Sequence, residues 1–268
     1  AADFFNGEKV DYSRPDTAEL SLQMQGKAKK AEISHDFRGS FYSSCGIEVE
    51  KKDALTQTMQ RGWIYETVKE NGTTYGEAER IQEWEQEPSE GIFLKSGQTL
   101  VVDLGQNLAG VPSVTFCSDT KGELTLTFGE MCNETGSAER GEDGAAGTVY
   151  RANYRSAQTQ IQIEMQEKQR ETYIPTFFYT GFRYLSITTT ADVTLSRIQG
   201  ISVGLDSPEA GSFTCDNEKL QKLYENTRWS QRNNFGWIAS DCPQRDERIG
   251  WTGDLAVYSM TSMYLQDL

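Results

Sequence analysis

One stretch near the C-terminal end of the sequence gathers side chains that could perform acid–base chemistry. Residues 241–254 are DCPQRDERIGWTGD, and five of the first eight are charged. If this segment is extended, Arg245 and Glu247 share one side, because side chains alternate along an extended chain. Asp246 and Arg248 would then share the other side. The pattern predicts a carboxyl group with a cation beside it.

Trp251 follows Glu247 by four residues and adds a large aromatic surface. Apolar surroundings favour the neutral form of a carboxyl, whereas a nearby arginine favours its charged form. Enzymes use this opposition to set a general acid close to working pH. The indole also offers a flat face to the C–H side of a sugar ring. The alternative is a solvated loop with internal ion pairs. Because Trp237-Ile238 and an apolar helix flank the segment, we expect it to be tucked inward.

Two predicted helices flank the motif. Asp216 or Asn217 can cap a helix that ends near Asn234. A second helix begins at about Asp254 and is apolar nearly all round, with Ala256, Val257, Met260, Met263 and Tyr264. A helix that is apolar on all sides is expected to be buried among others.

Upstream, residues 96–205 alternate apolar and polar side chains with a period of two, as in Leu124, Leu126 and Phe128. This alternation, interrupted by turn signals, predicts an antiparallel β-sandwich with a long loop at residues 133–147. Residues 1–95 predict a hairpin turn at 5–8 and a strand at 20–24. Residues 77–90 fit a short helix or a solvated strand. The region is a further β-rich module or the opening strands of the sandwich.

Composition excludes several classes of function. The 268 residues carry a formal charge of −14, and no apolar run is long enough for a membrane span, so nucleic-acid and membrane partners are not expected. Five scattered cysteines and a single histidine, His35, predict no metal site and no cofactor, and His35 is expected at the surface. No signal peptide is visible, and the cell compartment stays open between the cytoplasm and export.

The motif at 241–254 resembles the signature of bacterial α-L-rhamnosidases of glycoside hydrolase family 78. Its flanks agree with that family: residues 211–217 lead into the first helix, and residues 229–235 precede the motif. Upstream, Val102–Gly110 and Tyr179–Tyr184 resemble strands of the family's N-terminal sandwich. The resemblance covers about residues 91–268.

The resemblance implies roles for individual residues. Glu247 matches the general acid that protonates the glycosidic oxygen as rhamnose leaves, and Asp246 is the adjacent alternative. The positions that bind the rhamnose ring are Asp241, Arg245, Trp251 and Asp254. The substrate would be a rhamnose-containing glycoside or polysaccharide. The family inverts configuration, so a second carboxylate roughly 6.5–9.5 Å away must activate water. We expect that base beyond Leu268.

The resemblance also implies a mixed, mainly β architecture. We expect a variable β-rich region at 1–90, the sandwich at 91–205, and at 206–268 the beginning of an (α/α)6 barrel that is incomplete in this chain. Twelve helices of about 11 residues need well over a hundred residues. This truncated chain alone is therefore expected to be inactive, and its uncovered helices to promote self-association. The alternatives are a non-catalytic carbohydrate-binding or domain-packing module, and an (α/α)6 glycosidase for another sugar.

Overall fold

The computed structural model describes residues 2–3, 7–11, 49–205, 207–236 and 238–267. The strand predicted at 20–24 and the surface position predicted for His35 lie outside these residues. Fourteen strands are present in the described part: β1 (Ala2–Asp3), β2 (Gly7–Asp11), β3 (Val49–Thr58), β4 (Arg61–Lys69), β5 (Glu77–Trp84), β6 (Ile92–Leu94), β7 (Thr99–Cys117), β8 (Gly122–Gly129), β9 (Met131–Cys132), β10 (Val149–Tyr150), β11 (Gln160–Met165), β12 (Arg170–Tyr173), β13 (Thr180–Thr189) and β14 (Val193–Leu205).

The long strand β7 organises the β-rich part. The main path of strands runs β1-β2-β11-β8-β13-β7-β14-β3, with β4, β6 and β12 joined at its sides and β5 paired with β4. The first half of β7 pairs with β13 and β4, and its second half with β14 and β12. These pairings are antiparallel, as predicted, whereas β11 and β2 run parallel. This one strand of 19 residues thus connects β13 and β4 with β14 and β12.

The core follows the predicted alternation. On β8, Leu124, Leu126 and Phe128 are fully buried, and Ile161 and Ile163 on the neighbouring β11 meet them from the paired strand. Each such side chain contributes about 1.5–3 kcal/mol by leaving water. A single cluster of this kind extends from Met59 to Ile198 among the described residues. It makes the β-rich part a rigid support.

Residues 49–84 join the same hydrogen-bonded sheet. Strand β3 pairs with β14, and β4 pairs with both β5 and β7. The segment at 77–84 is therefore a strand and not a helix, and most of its side chains face solvent. Strand β1 pairs antiparallel with β2, in which Gly7 and Glu8 lie, and the rest of the turn predicted at residues 5–8 falls outside the described residues. The boundary expected at residue 90, between a variable region and the sandwich, therefore does not coincide with a boundary between two sheets.

Two α-helices follow the strands in the described part: α1 (Glu218–Asn234) and α2 (Thr252–Leu265). Asn217 caps α1, since its side-chain oxygen accepts the amides of Lys219 and Leu220 at 3.1 and 3.3 Å. Two short 3-10 turns, Ala138–Arg140 and Ala152–Tyr154, lie in loops. Among the described residues, no helix combines the length and apolar character needed to cross a membrane.

Candidate active site

The motif loop (residues 235–251) connects α1 to α2 and lies against the start of β13. The Gly181 amide donates to the Pro243 carbonyl oxygen at 3.0 Å, so the loop extends the hydrogen bonding of the strand. A Cβ at Gly181 would lie 2.7 Å from Pro243 Cγ, so only glycine allows this approach. The loop is docked on the sheet and is not a solvated linker.

Arg248 fixes the loop from beneath. Its side chain is buried and donates to the carbonyl oxygens of Gln244, Arg245 and Tyr179 at 2.8, 2.9 and 2.5 Å. Burial lowers the pKa of its guanidinium, although nearby Cys242 and Tyr179 partly oppose that shift. Arg248 thus joins the turn at 244–245 to the end of the segment that precedes β13.

The segment 241–248 is not a regular extended strand. Arg248 has a left-handed φ of 53°, and the Asp241 amide donates back to the Ile249 carbonyl at 3.1 Å, which closes the loop on itself. Arg245 and Glu247 do share a side, as predicted. Asp246 and Arg248 do not, since Asp246 is exposed and Arg248 is buried. The alternation rule fails there because the backbone turns.

Glu247 lies at the centre of a converging set of donors. Its Oε2 accepts from Arg245 Nε at 3.1 Å and from Arg155 Nη1 at 2.9 Å. Its Oε1 accepts from Trp251 Nε1 at 2.8 Å. The carboxyl keeps 23% of its side-chain surface exposed, so it is oriented from three directions and still open to a substrate.

Asp241 stabilises the arginine beside the candidate acid. Its side chain is almost fully buried, with Oδ2 accepting from Arg245 Nη2 at 2.9 Å and Oδ1 from the Ile249 amide at 2.9 Å. Burial alone would raise the pKa of this carboxyl. Hydrogen bonds from Cys242, Ile249 and Arg245 outweigh burial and lower the pKa. Asp241 is therefore a charged anchor for Arg245.

The remaining predicted site residues lie around this centre. Asp246 is exposed and accepts a hydrogen bond from Ser156 Oγ. Trp251 is half-exposed at the N-terminal end of α2, and Asp254 lies in its first turn. Asp254 and Asp241 both line a pocket of about 540 Å³ between the end of α1 and the start of α2. The structure thus links Asp241, Arg245, Glu247 and Trp251 in one network, with Asp254 on the adjoining pocket wall.

Two residues of this site come from the β-rich part. Arg155 and Ser156 lie in the loop between β10 and β11, about ninety positions before the motif, and they contact Glu247 and Asp246. Sequence analysis missed both residues, because neither belongs to a recognisable motif and only the tertiary fold brings them to the motif loop.

Comparison with known proteins agrees with this architecture. Residues 94–204 match the bacterial alpha-L-rhamnosidase concanavalin-like domain, and residues 208–268 match the bacterial alpha-L-rhamnosidase 6 hairpin glycosidase domain. Among solved structures, the alpha-L-rhamnosidase from Dictyoglumus thermophilum is 25% identical with a TM-score of 0.67. That alignment covers 98% of this chain and 25% of the other. The Streptomyces avermitilis alpha-L-rhamnosidase complexed with L-rhamnose is 27% identical with a TM-score of 0.59, over 81% of this chain and 17% of the other.

Curated relatives carry the same name. An alpha-L-rhamnosidase of Formosa agariphila is 39% identical over 184 residues, which are 67% of this chain and 18% of the relative. One from Alteromonas sp. is 35% identical over 180 residues, 65% of this chain and 18% of the relative. This chain therefore spans less than a fifth of the length of these relatives. With both domain types matched in the same order, the chain belongs to the bacterial α-L-rhamnosidase family.

Proposed function

We propose that this chain carries the acid half of an inverting α-L-rhamnosidase, with Glu247 as the general acid. The observation that carries the proposal is the geometry of that carboxyl. Glu247 is oriented by two arginines and an indole, yet part of it stays exposed. A general acid needs this combination, because it must be fixed in place and still reach the leaving oxygen.

The surrounding residues have matching roles in the proposal. Asp241 keeps Arg245 in place, and Trp251 offers its exposed ring face to the apolar side of rhamnose. Asp254, on the neighbouring pocket wall, binds ring hydroxyls. The water-activating carboxylate comes from a part of the six-hairpin domain outside residues 1–268, at roughly 6.5–9.5 Å from the acid. The chain by itself would then bind the sugar without hydrolysing it.

We extend the proposal to organisation and partners. We assign residues 91–205 to the family's sandwich domain, 206–268 to the beginning of the catalytic domain, and 1–90 to a variable region whose strands at 49–84 join the sheet of the sandwich. The substrate is a rhamnose-containing glycoside or polysaccharide. The exposed apolar side chains of α2 would promote self-association of the 268-residue chain, which sedimentation velocity measures as a concentration-dependent rise in average mass. A dispersed monomer at high concentration would contradict this part.

The activity is tested in the open reading frame that carries this sequence, expressed in full. The wild type should release rhamnose from methyl α-L-rhamnopyranoside, and proton NMR should show the β-anomer first. The variant Glu247→Gln keeps the shape of the side chain and removes the acid, so we expect a loss of about 10²–10⁴-fold in kcat.

Asp246→Asn is the matched control, because it changes the adjacent carboxyl in the same way. It should cost far less than Glu247→Gln. A larger loss of kcat in Asp246→Asn than in Glu247→Gln would assign the role of general acid to Asp246. Faster hydrolysis of methyl α-D-mannopyranoside or methyl α-L-fucopyranoside than of the rhamnoside would contradict the choice of sugar.

A further inference from the structure

We propose that the β-sandwich takes part in the chemistry through Arg155, which positions the general acid of the helical domain. This inference rests on the proposed role of Glu247. The contact comes from the loop between β10 and β11 (residues 151–159, the arginine loop). Its two consecutive residues Arg155 and Ser156 contact the two consecutive carboxyls of the motif.

The arginine loop is built as a rigid platform. The Tyr154 side chain is fully buried, and its hydroxyl donates to the Gly181 carbonyl at 2.6 Å. The amides of Arg151 and Ala152 both donate to Asp143 Oδ2 at 2.7 Å. Asn153 Nδ2 donates to Glu130 Oε2 at 2.9 Å. Hydrogen bonds from three directions therefore fix the segment directly before Arg155.

Arg155 has a backbone conformation that few side chains adopt. Its φ of 57° and ψ of −118° lie outside the regions favoured by residues with a Cβ. Such strain costs on the order of 1–3 kcal/mol and persists where the surroundings impose it, often at functional sites. Here the strained backbone presents the guanidinium to Glu247, although more than half of the Arg155 side chain is exposed.

The two carboxyl oxygens of Glu247 have different hydrogen-bond partners. Oε2 accepts from the guanidinium groups of Arg155 and Arg245, whereas Oε1 accepts only the indole N–H of Trp251 among the contacts of the described residues. Two positive donors favour negative charge on Oε2. The transferable proton therefore resides on Oε1, beside the ring of Trp251. Removing Arg155 leaves Arg245 as the one charged donor to Oε2, so the carboxyl is held less firmly and the difference between its two oxygens becomes smaller.

The test exploits the leaving group. An alkoxide needs a proton as it departs, whereas p-nitrophenolate is stable enough to leave almost unaided, so loss of a well-placed acid affects alkyl glycosides far more. In the full reading frame, Arg155→Gln should lower kcat/KM for methyl α-L-rhamnopyranoside by about 10–100-fold. The rate with p-nitrophenyl α-L-rhamnopyranoside should fall by less than about threefold on the same reasoning. Arg155→Lys should restore part of the alkyl rate.

The matched control is Arg140→Gln, in an exposed arginine of the neighbouring loop, 61% exposed and 3.9 Å from Glu134. It should leave both rates unchanged. Equal losses on both substrates in Arg155→Gln would show a merely structural role and overturn the proposal. Wild-type rates on both would overturn it as well. If Glu247→Gln keeps full alkyl-rhamnoside activity, the acid assignment itself fails, and this inference fails with it.

The 268-residue chain gives a second readout without any turnover. The indole N–H of Trp251 reports the position of Glu247 Oε1, and its resonance can be assigned with Trp251→Phe. Arg155→Gln should shift that resonance and Arg140→Gln should not. An unmoved resonance in Arg155→Gln would mean that Arg155 does not position the carboxyl, and the proposal would be wrong.

Discussion

The sandwich and the helical segment of this chain bury their apolar residues very differently. On β8, Leu124, Leu126 and Phe128 are completely buried. On α2, by contrast, Val257 is 87% exposed, and of its described residues only Ser262 and Leu265 are buried. The sandwich has a core of its own. The helical segment is attached to it through polar contacts, such as that of Arg248 with the Tyr179 carbonyl, and through Trp229, which packs against the core.

That contrast explains where the candidate site lies. The proposed general acid would need a rigid support, and the sandwich has the buried core that can provide one. The motif loop docks on β13, and the arginine loop of the sandwich reaches Glu247 from the other side. The sandwich therefore contacts and supports the candidate acid, which lies in the helical segment.

The largest expected effect contrasts the two regions directly. Phe128→Ala removes a buried ring that packs on Phe178 and Phe182 at centroid distances of 5.0 Å. It should lower the free energy of unfolding by about 3–5 kcal/mol. Met260→Ala, on the exposed face of α2, should change it by less than about 0.5 kcal/mol. Urea titrations measure both, and a larger loss for Met260→Ala would reverse the comparison.

A smaller effect is expected where the regions meet. Asn233 on α1 accepts the Ala109 amide at 2.9 Å and donates to the Asn107 carbonyl at 3.1 Å, in the manner of a neighbouring strand. Asn233→Ala leaves the buried Ala109 amide and the partly buried Asn107 carbonyl without these partners and should cost about 2 kcal/mol.

The adjacent Asn234→Ala is its control, since that amide donates to Ser230 within its own helix. Thermal melts of the two variants should differ clearly. Equal melting temperatures would mean that α1 is not attached to the sandwich through Asn233.

The smallest effect concerns the sandwich alone and depends on pH. Burial would raise the pKa of Glu142. The backbone amides of Ser137, Thr135 and Glu134, with the Thr135 hydroxyl, outweigh it and lower the pKa from 4.5 to about 2. A carboxyl with a depressed pKa stabilises the fold above its unfolded pKa, and that stability is lost as pH falls toward the folded value.

Glu142→Gln should therefore lower the melting temperature at pH 6 and have much less effect near pH 2. Glu139→Gln, in the exposed 3-10 turn beside it, is the control and should leave the melting temperature unchanged at both pH values. A difference between wild type and Glu142→Gln that grows as pH falls would contradict the role of these hydrogen bonds.

The sequence predicts the local parts of this structure well, because they depend on near neighbours. Asn217 caps a helix since its side chain reaches amides two and three residues on. Leu124 and Leu126 are buried because strands alternate. Arg245 and Glu247 lie side by side as predicted, although the backbone at residues 243–246 bends and is not extended.

Features that depend on the tertiary fold could not be predicted in this way. Arg155 contacts Glu247 across 92 positions, and no local pattern carries that distance. Alternation predicts that Arg248 lies on the same side as Asp246. In the structure a left-handed backbone conformation turns the Arg248 side chain toward the Tyr179 carbonyl, and the side chain is buried. The motif suggests the candidate acid, and the three-dimensional structure shows which residues contact it.

The central claim is that the motif loop is docked on the sandwich, and amide hydrogen exchange at Gly181 tests it most directly. That amide donates to the Pro243 carbonyl, so its protection depends on the loop staying in place. In the wild-type chain Gly181 should exchange as slowly as Leu185 in the middle of β13, and Arg248→Met should accelerate Gly181 while leaving Leu185 slow. Exchange of Gly181 at an unprotected rate in the wild type would contradict the account.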